Sequence, residues 1–367
     1  MIGDMRTDPQ DQARKRPDGE ATEDGGGPSG ISGSPVRDNC HQESALPSLR
    51  ASVVVCAYTE DRWPQIQLAL ASIARQTVPP WQVIVVADHN PSLGQRLEAQ
   101  YPDLEVIPNS FERGLSGARN SGVQRAAGDI VVFLDDDARA EPGWLEALLA
   151  SYDDESVLGV GGLVLADWGS MTRPGWLPEE FLWVVGCSYR GLPPAKAEVR
   201  NPVGANMSFR RSAFDKAGLF DSSVGRSFAA SRPLGCEETE FSIRLLETAP
   251  YGRIMYEPLA IVHHHMDRSR GTWRYFLNRC YAEGCSKARV ARLSGMSAAL
   301  SSERSYLRHT IRRAVGREIR VVLRPGGRDA LGRLAALVLG VSWAAAGYTR
   351  GTVARARFAP PGGRGPG

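Results

Sequence analysis

Ile130-Val-Val-Phe-Leu134-Asp135-Asp136-Asp137 joins a buried-looking apolar run directly to three adjacent carboxylates. Five apolar residues, most of them β-branched, suit a strand covered on both faces. The acids then lie at that strand's carboxyl end. Three neighbouring carboxylates repel one another, and a divalent cation relieves the repulsion. Mg2+ or Mn2+ takes one or two carboxylates and completes its shell with phosphate oxygens and water. An acidic turn capping the helix that starts at Pro142 would need no cation, so the surroundings decide between the two readings.

Upstream, Ser52-Val-Val-Val-Cys56 and Val83-Ile-Val-Val-Ala87 read as two more buried strands, and Leu104-Glu-Val-Ile107 as another. Helical spacing appears between them at 66–76, 93–101 and 117–127, and after the acids at 142–152, with Pro near the first turn. Strands alternating with helices predict an α/β fold with a largely parallel sheet covered on both faces. Ligands on such sheets bind beyond the strands' carboxyl ends, where Asp88 and the acidic triplet both fall. From Val157 the pattern turns mixed, with strands expected at 157–165, 206–209 and 254–262 and a helix at 274–293. The aromatic region between them holds Trp168, Trp176 and Trp183, which either stack on a ligand or pack in the core.

Two further motifs carry chemistry. In Gly235-Cys236-Glu237-Glu238-Thr239-Glu240-Phe241, carboxylates sit where Phe241 and Leu245 mark the start of a helix. The helix dipole favours acids there; a carboxylate that takes a proton from a hydroxyl is the functional reading. His263-His264-His265 ends an apolar run, and three consecutive residues of a strand cannot all face one way. One of them can complete a metal shell, but no Cys or His lies at zinc-ligand spacing.

These motifs, in this order, resemble the family-two nucleotide-sugar glycosyltransferases with the GT-A fold, over roughly residues 51–290. The resemblance implies a mixed sheet flanked by helices, a nucleotide-sugar donor, a Mg2+ or Mn2+ ion and inversion at the anomeric carbon. Val53-Val-Val-Cys-Ala-Tyr-Thr-Glu60 is similar to the first nucleotide-binding segment, with Tyr58 facing the base and Glu60 beside it. Val85-Val-Ala-Asp88 matches the second strand, whose terminal Asp reads uracil; the family often has two acids there, and only Asp88 is present here. Gly114-Leu-Ser-Gly-Ala-Arg119-Asn-Ser-Gly122 resembles the Gly-rich stretch, which brings Arg119 into the donor site. Asp137 is the implied metal ligand, with Asp135 or Asp136 near the ribose and His264 as the later metal-binding His. Asn201-Pro-Val-Gly-Ala-Asn206 resembles the segment lining the donor sugar. Glu238 takes the place of the family's catalytic base, with Glu where Asp is usual.

Composition bounds the rest. At 42% hydrophobic and 23% charged, the 367 residues can build a sizeable core. Six irregularly spaced Cys without a Cys-x-x-Cys pair read as reduced thiols. Residues 1–48 are rich in Gly, Pro, Ser and charge, with no apolar leader segment, and read as a disordered tail on a cytoplasmic protein. The expected organisation is a GT-A domain at 49–290, a basic and apolar helical extension at 291–350 and a second tail at 351–367. From 303 to 328 there are eight Arg and two Glu, a net +6, although the whole chain is only +3. Arg304, Arg308 and Arg312 recur every four residues beside Leu307, Ile311 and Val315, the pattern of a basic amphipathic helix. The 15-residue apolar stretch at 334–348 falls short of the ~20 needed to span a bilayer. These helices either touch the inner face of the cell membrane or pack on the catalytic domain.

The expected partners are therefore a nucleotide-sugar donor, a saccharide or lipid-linked acceptor and a membrane surface touched by 304–350, but no nucleic acid. A nucleotidyltransferase also uses paired acids and a metal, and a basic nucleic-acid-binding protein would use the Arg-rich helix. The latter lacks any module signature. The absence of a Gly-x-Gly-x-x-Gly after the first strand argues against a dehydrogenase.

Overall fold

The computed structural model describes residues 49–225, 235–323 and 328–356. The first half runs β1 (Ala51–Ala57), α1 (Trp63–Ala74), β2 (Gln82–Ala87), α2 (Pro91–Gln100), β3 (Glu105–Pro108), α3 (Leu115–Arg125) and β4 (Ile130–Asp135). It continues with β5 (Ala138–Ala140), α4 (Trp144–Leu149), β6 (Val157–Asp167), β7 (Ala197–Glu198), β8 (Asn206–Arg210) and α5 (Arg211–Ala217). Then come α6 (Glu237–Thr248), β9 (Arg253–His265), α7 (Trp273–Leu293), α8 (Met296–Ser305), α9 (Arg312–Val322) and α10 (Arg328–Ala356).

The strands form one mixed sheet in the order β3-β2-β1-β4-β8-β6-β9-β5, with β7 paired to β9. β3, β2, β1 and β4 are mutually parallel, so Val54 lies opposite both Ile84 and Phe133. β8 runs antiparallel to β4 and β6. Val53 and Val55 of β1 enter one core and Val54 the other, with helices over both. That two-sided burial is why the strand reads as a continuous apolar run and not an alternating one. The sheet flanked by helices is the GT-A arrangement that the motifs imply.

Two local features set up the site. A Cβ at Gly122 would stand 2.3 Å from Val54 Cγ1, so glycine lets α3 settle directly on β1. β5 turns back from β4 and pairs antiparallel with the end of β9, placing Ala138 opposite His264. The Asp137 carbonyl, in the turn between β4 and β5, accepts from the His265 amide at 2.8 Å. β1 is flanked by β2 on one side and β4 on the other, so the strand order reverses direction at this point.

The C-terminal helices are continuous with the catalytic domain. α7 runs through residue 290, and α8 returns Glu303 to Arg200 at 2.7 Å and to Lys287 at 2.9 Å. Trp176 stacks on Trp273 with ring centroids 4.2 Å apart, and Trp183 Nε1 donates to the Tyr306 hydroxyl at 3.4 Å. The packing reading therefore holds for both tryptophans; they join the aromatic loop to the C-terminal helices. Residues 351–356, expected to begin a tail, complete α10, while 1–48 and 357–367 lie outside the described residues. Cys56, Cys187, Cys236, Cys280 and Cys285 are free thiols.

Candidate active site

The acidic triplet divides its labour by direction. Asp137 is buried, and its Oδ1 meets His264 Nε2 at 3.0 Å. Its Oδ2 accepts from Arg270 at 3.0 Å and from Arg62 at 3.1 Å. Asp136, also buried, takes a 2.7 Å ion pair from Arg62 through Oδ1, while its Oδ2 has no hydrogen-bond partner among the described residues. Asp135 is half-buried and faces Arg119 at 3.4 Å. Burial works to raise the Asp137 carboxyl, but His264, Arg270 and Arg62 outweigh it and hold the group well below the usual carboxylate range. Burial pushes Asp136 the other way, up to about 7, although Arg62 opposes it.

Alternation along β9 sorts the histidines. His264 points inward and is buried beside Asp137 and the Cys187 thiol. His263 turns out to Glu141 at 2.9 Å. One ligand atom each from Asp135, Asp137 and His264 lies within 4.8 Å of the others. Two carboxylate oxygens and an imidazole nitrogen, with positions left for phosphate oxygens and water, suit a divalent cation such as Mn2+ or Mg2+. Charge supports the same conclusion. Asp135, Asp136, Asp137 and Glu237 carry −4 when ionised and face +3 from Arg62, Arg119 and Arg270, a net −1. A divalent cation turns this to +1, the sign a diphosphate requires. The residues present fit the ion.

Arg119 connects this cluster to the second motif. It is 2% exposed and donates to Glu237 Oε1 at 2.8 Å and to the Gly204 carbonyl at 3.0 Å, besides facing Asp135. Consecutive residues on a helix point about 100° apart, so α6 sends its three acids to different fates. Glu237 is spent on Arg119, and Glu240 pairs with Arg244 at 2.7 Å one turn on. Glu238 is half-buried and makes no ion pair among the described residues; its Oε1 accepts from the Thr239 hydroxyl at 3.4 Å. Burial, reinforced by the Glu237 charge, pushes the Glu238 carboxyl up to about 7. Cys236, just before these acids, adopts a left-handed φ of 76°. Its thiol donates to Glu283 at 3.2 Å, and the Gly235 amide donates to Ser286 at 3.1 Å, so α7 fixes the start of α6.

On the nucleotide side, Asp88 is buried at the end of β2. Its oxygens accept from the Asn109 amide at 2.7 Å and from the Gly114 backbone at 3.0 Å, and Gly114 sits at φ 138° to make that approach. Each carboxylate oxygen has a second lone pair. Tyr58 lies at the β1 terminus with the Arg62 guanidinium 5.1 Å from its ring centre. Glu60 is turned aside toward α2, bound by Ser92 at 2.8 Å and Arg96 at 3.3 Å. Asn206 sits beneath the site with no exposure. Its amide spans the Leu163 and Ala260 carbonyls, and its oxygen accepts from Trp144 at 2.8 Å. The structure thus gathers Asp135, Asp136, Asp137, His264 and Arg119, with Glu238 one residue beyond Glu237. It places Glu60 and Asn206 in supporting contacts.

Arg62 and Arg270 escape a reading of the sequence. Each lies in a short 3-10 segment, Glu60–Arg62 and Arg268–Gly271, without periodicity to mark it, and Arg270 shares its segment with Arg268. Only the folded proximity to Asp137 reveals them.

A mixed sheet of this order flanked by helices, with a carboxylate–imidazole cluster at the end of β4, is the GT-A arrangement. Residues 52–218 match the profile of Glycosyl transferase family 2. The chain is 33% identical over 243 residues to a glucosyl-dolichyl phosphate glucuronosyltransferase of Haloferax volcanii, covering 65% of this chain and 76% of that one. It is 29% identical over 252 residues to the succinoglycan biosynthesis protein ExoM of Rhizobium meliloti, covering 66% and 75%. A solved mannosyltransferase, PcManGT from Pyrobaculum calidifontis in complex with GDP-Man and Mn2+, aligns over 81% of this chain and 87% of its own at 17% identity and a TM-score of 0.49. The chain belongs to glycosyl transferase family 2 and is a glycosyltransferase.

Proposed function

We propose that this enzyme transfers a sugar, with inversion, from a nucleoside diphosphate carrier to a hydroxyl of a saccharide or lipid-linked acceptor. The carrying observation is the sorting of Glu237 and Glu238. Arg119 neutralises the first and ties it to Asp135, while the second stays unpaired with its carboxyl near 7. A carboxyl poised there is about half ionised at neutral pH, and its ionised form can accept a proton.

Tyr58 and Asp88 receive the base, with uridine the preferred nucleoside. Asp135, Asp137 and His264 would hold a Mg2+ or Mn2+ ion, which would supply positive charge against the diphosphate. Arg62 and Arg270 hold Asp137 ionised and add positive charge beside the phosphates. Glu238 takes the proton of the acceptor hydroxyl as its oxygen bonds to the anomeric carbon on the face opposite the phosphate. The old carbon–oxygen bond breaks, and its electron pair leaves with the nucleoside diphosphate. An α-linked donor thus yields a β-linked product.

The two relatives' names, one on a dolichyl phosphate sugar and one on succinoglycan biosynthesis, support an acceptor in envelope or extracellular polysaccharide assembly. The enzyme then works from the cytoplasmic side of the cell membrane, with no nucleic acid as partner. The test is a panel of nucleotide sugars assayed for nucleoside diphosphate release with and without Mn2+. Release from one donor class, dependent on metal, is expected. Release of pyrophosphate would identify a nucleotidyltransferase instead.

A further inference from the structure

Glu283, Ser286 and Lys287 of α7 share one face, because residues three and four apart stack on a helix. That face meets the lead-in to α6. The Cys236 thiol donates to Glu283 at 3.2 Å, and the Gly235 amide donates to Ser286 at 3.1 Å. Gly284 admits α10 at the same turn. A Cβ there would stand 2.0 Å from the Ala344 carbonyl oxygen, and one at Gly347 would stand 2.0 Å from that of Tyr281. α10 is thus clamped against α7 where α7 holds α6.

The Lys287 side chain is only 11% exposed and lies 3.5 Å from Glu283 and 2.9 Å from Glu303 of α8. A lysine is rarely buried unless paired. Burial works to lower its pKa, but Cys236, Glu303 and Glu283 outweigh it and keep the ammonium charged. Glu303 in turn accepts from Arg200 at 2.7 and 2.9 Å. Arg200 stands directly before the 201–206 segment and donates through Nε to Asn201 at 2.9 Å. Two acids and two bases therefore cancel in a network that joins α7, α8, the 201–206 segment and the start of α6.

The charges acting on Glu238 come from three helices. Glu237 of its own helix and Glu283 of α7 oppose its ionisation, and Arg119 of α3 favours it. At the neighbouring Cys236, burial and Glu283 push the thiol well above its usual range, with Lys287 opposing, so the thiol stays protonated and donates. α8 brings Glu303, which is paired to Lys287 and Arg200. α5 meets α6 through rings, Phe214 on Phe241 with centroids 4.9 Å apart. Cys236 holds a φ of 76°, which a non-glycine residue keeps only where its surroundings impose it.

We propose that Glu283 and Lys287 are positioning residues for Glu238. Glu283 fixes the Cys236 turn that aims the start of α6, and Lys287 cancels the Glu283 charge so that this anchor does not hold the base protonated. This rests on the base role proposed above for Glu238 and specifies what sets it.

The test is a carboxyl-carbon NMR titration of the full chain, isotope-labelled at glutamate Cδ, with the Glu238 signal assigned by its loss in Glu238→Gln. The wild-type midpoint is expected at about 7. Glu283→Gln keeps an oxygen for the Cys236 thiol and removes one negative charge, so the midpoint should fall by roughly half a pH unit or more. Lys287→Met leaves Glu283 uncancelled and should raise it by a similar amount, while Lys287→Arg should hold it near the wild-type value. Glu283→Gln together with Lys287→Met removes one charge of each sign and should bring the midpoint back. A role confined to packing predicts no such opposed shifts. Midpoints that coincide in wild type, Glu283→Gln and Lys287→Met, or that move the same way in both variants, would overturn the proposal. Where Lys287→Met fails to fold, Glu283→Gln decides alone, because Gln has the same shape. The pH at half-maximal kcat/KM, measured with the donor found in the nucleotide-sugar panel, should follow the NMR midpoints. A flat rate profile in every form, with the midpoints moving as expected, would count against Glu238 as base while upholding its positioning by α7.

Discussion

Glu238→Gln separates two consequences of one carboxyl group. The gap between about 7 and the usual 4.5, at 1.36 kcal/mol for each pH unit, amounts to roughly 3 kcal/mol. The side chain is only half-buried, so water relieves part of this, and about 1–2 kcal/mol is a fairer expectation. The sign follows from linkage. A carboxyl whose pKa is higher in the folded state favours folding fully below 4.5, and that contribution is lost as pH rises through about 7. Gln keeps the shape and never ionises. At pH 8 the variant should therefore be more stable than the wild type by about 1–2 kcal/mol, a few degrees in Tm. Near pH 4.5 the difference should vanish. Turnover should meanwhile fall by roughly 10²–10⁴, because Gln cannot take the acceptor proton. The assay is a pair of thermal melts at the two pH values, alongside initial rates at saturating donor. Equal melting at both pH values, or near wild-type turnover in Glu238→Gln, would refute the reasoning.

Glu237→Gln should act in the opposite direction. It removes the buried 2.8 Å partner of Arg119 and should destabilise the fold by roughly 3 kcal/mol in urea unfolding. The wild-type rate at limiting donor should climb with pH and level off above about 7, as Glu238 gives up its proton; a flat profile from pH 5 to pH 8 would remove Glu238 from the base role. Asp137→Asn, which withdraws the charge facing His264, Arg62 and Arg270, should weaken Mn2+ binding by calorimetry at least roughly tenfold, and excess chelator should abolish wild-type turnover. Asp88→Ala should weaken UDP binding more than it slows turnover at saturating donor, and equal affinity for every nucleoside diphosphate in wild type and variant would exclude Asp88 from base recognition.

The first half of the fold was readable because β1, β2 and β4 are buried on both faces, and glycine or proline punctuates the helices between them. β5 was not. Three residues, Ala-Arg-Ala, carry no pattern, and the strand exists only because β9 offers it an edge. That pairing also chooses His264 from its neighbours, a choice strand alternation allowed but could not make. The acids of α6 illustrate the same limit. Their positions mark a helix start and a base, but only Arg119, reaching from 118 residues away, shows which one is neutralised. Asn206 had the right neighbours in sequence, yet its amide is consumed by Trp144, Leu163 and Ala260, contacts that depend on how β6, β8 and β9 align. The C-terminal reading offered packing or membrane contact as alternatives. The clamp of α10 against α7 realises the first.

The central claim is inverting, metal-dependent sugar transfer with Glu238 as base. Its most direct test is the anomeric configuration of the product formed from an α-linked nucleotide sugar, read by proton NMR during turnover with Mn2+. The account predicts a β-linked product released together with a nucleoside diphosphate, absent in chelator and in Glu238→Gln. An α-linked product, or the same product formed at full rate by Glu238→Gln, would contradict it.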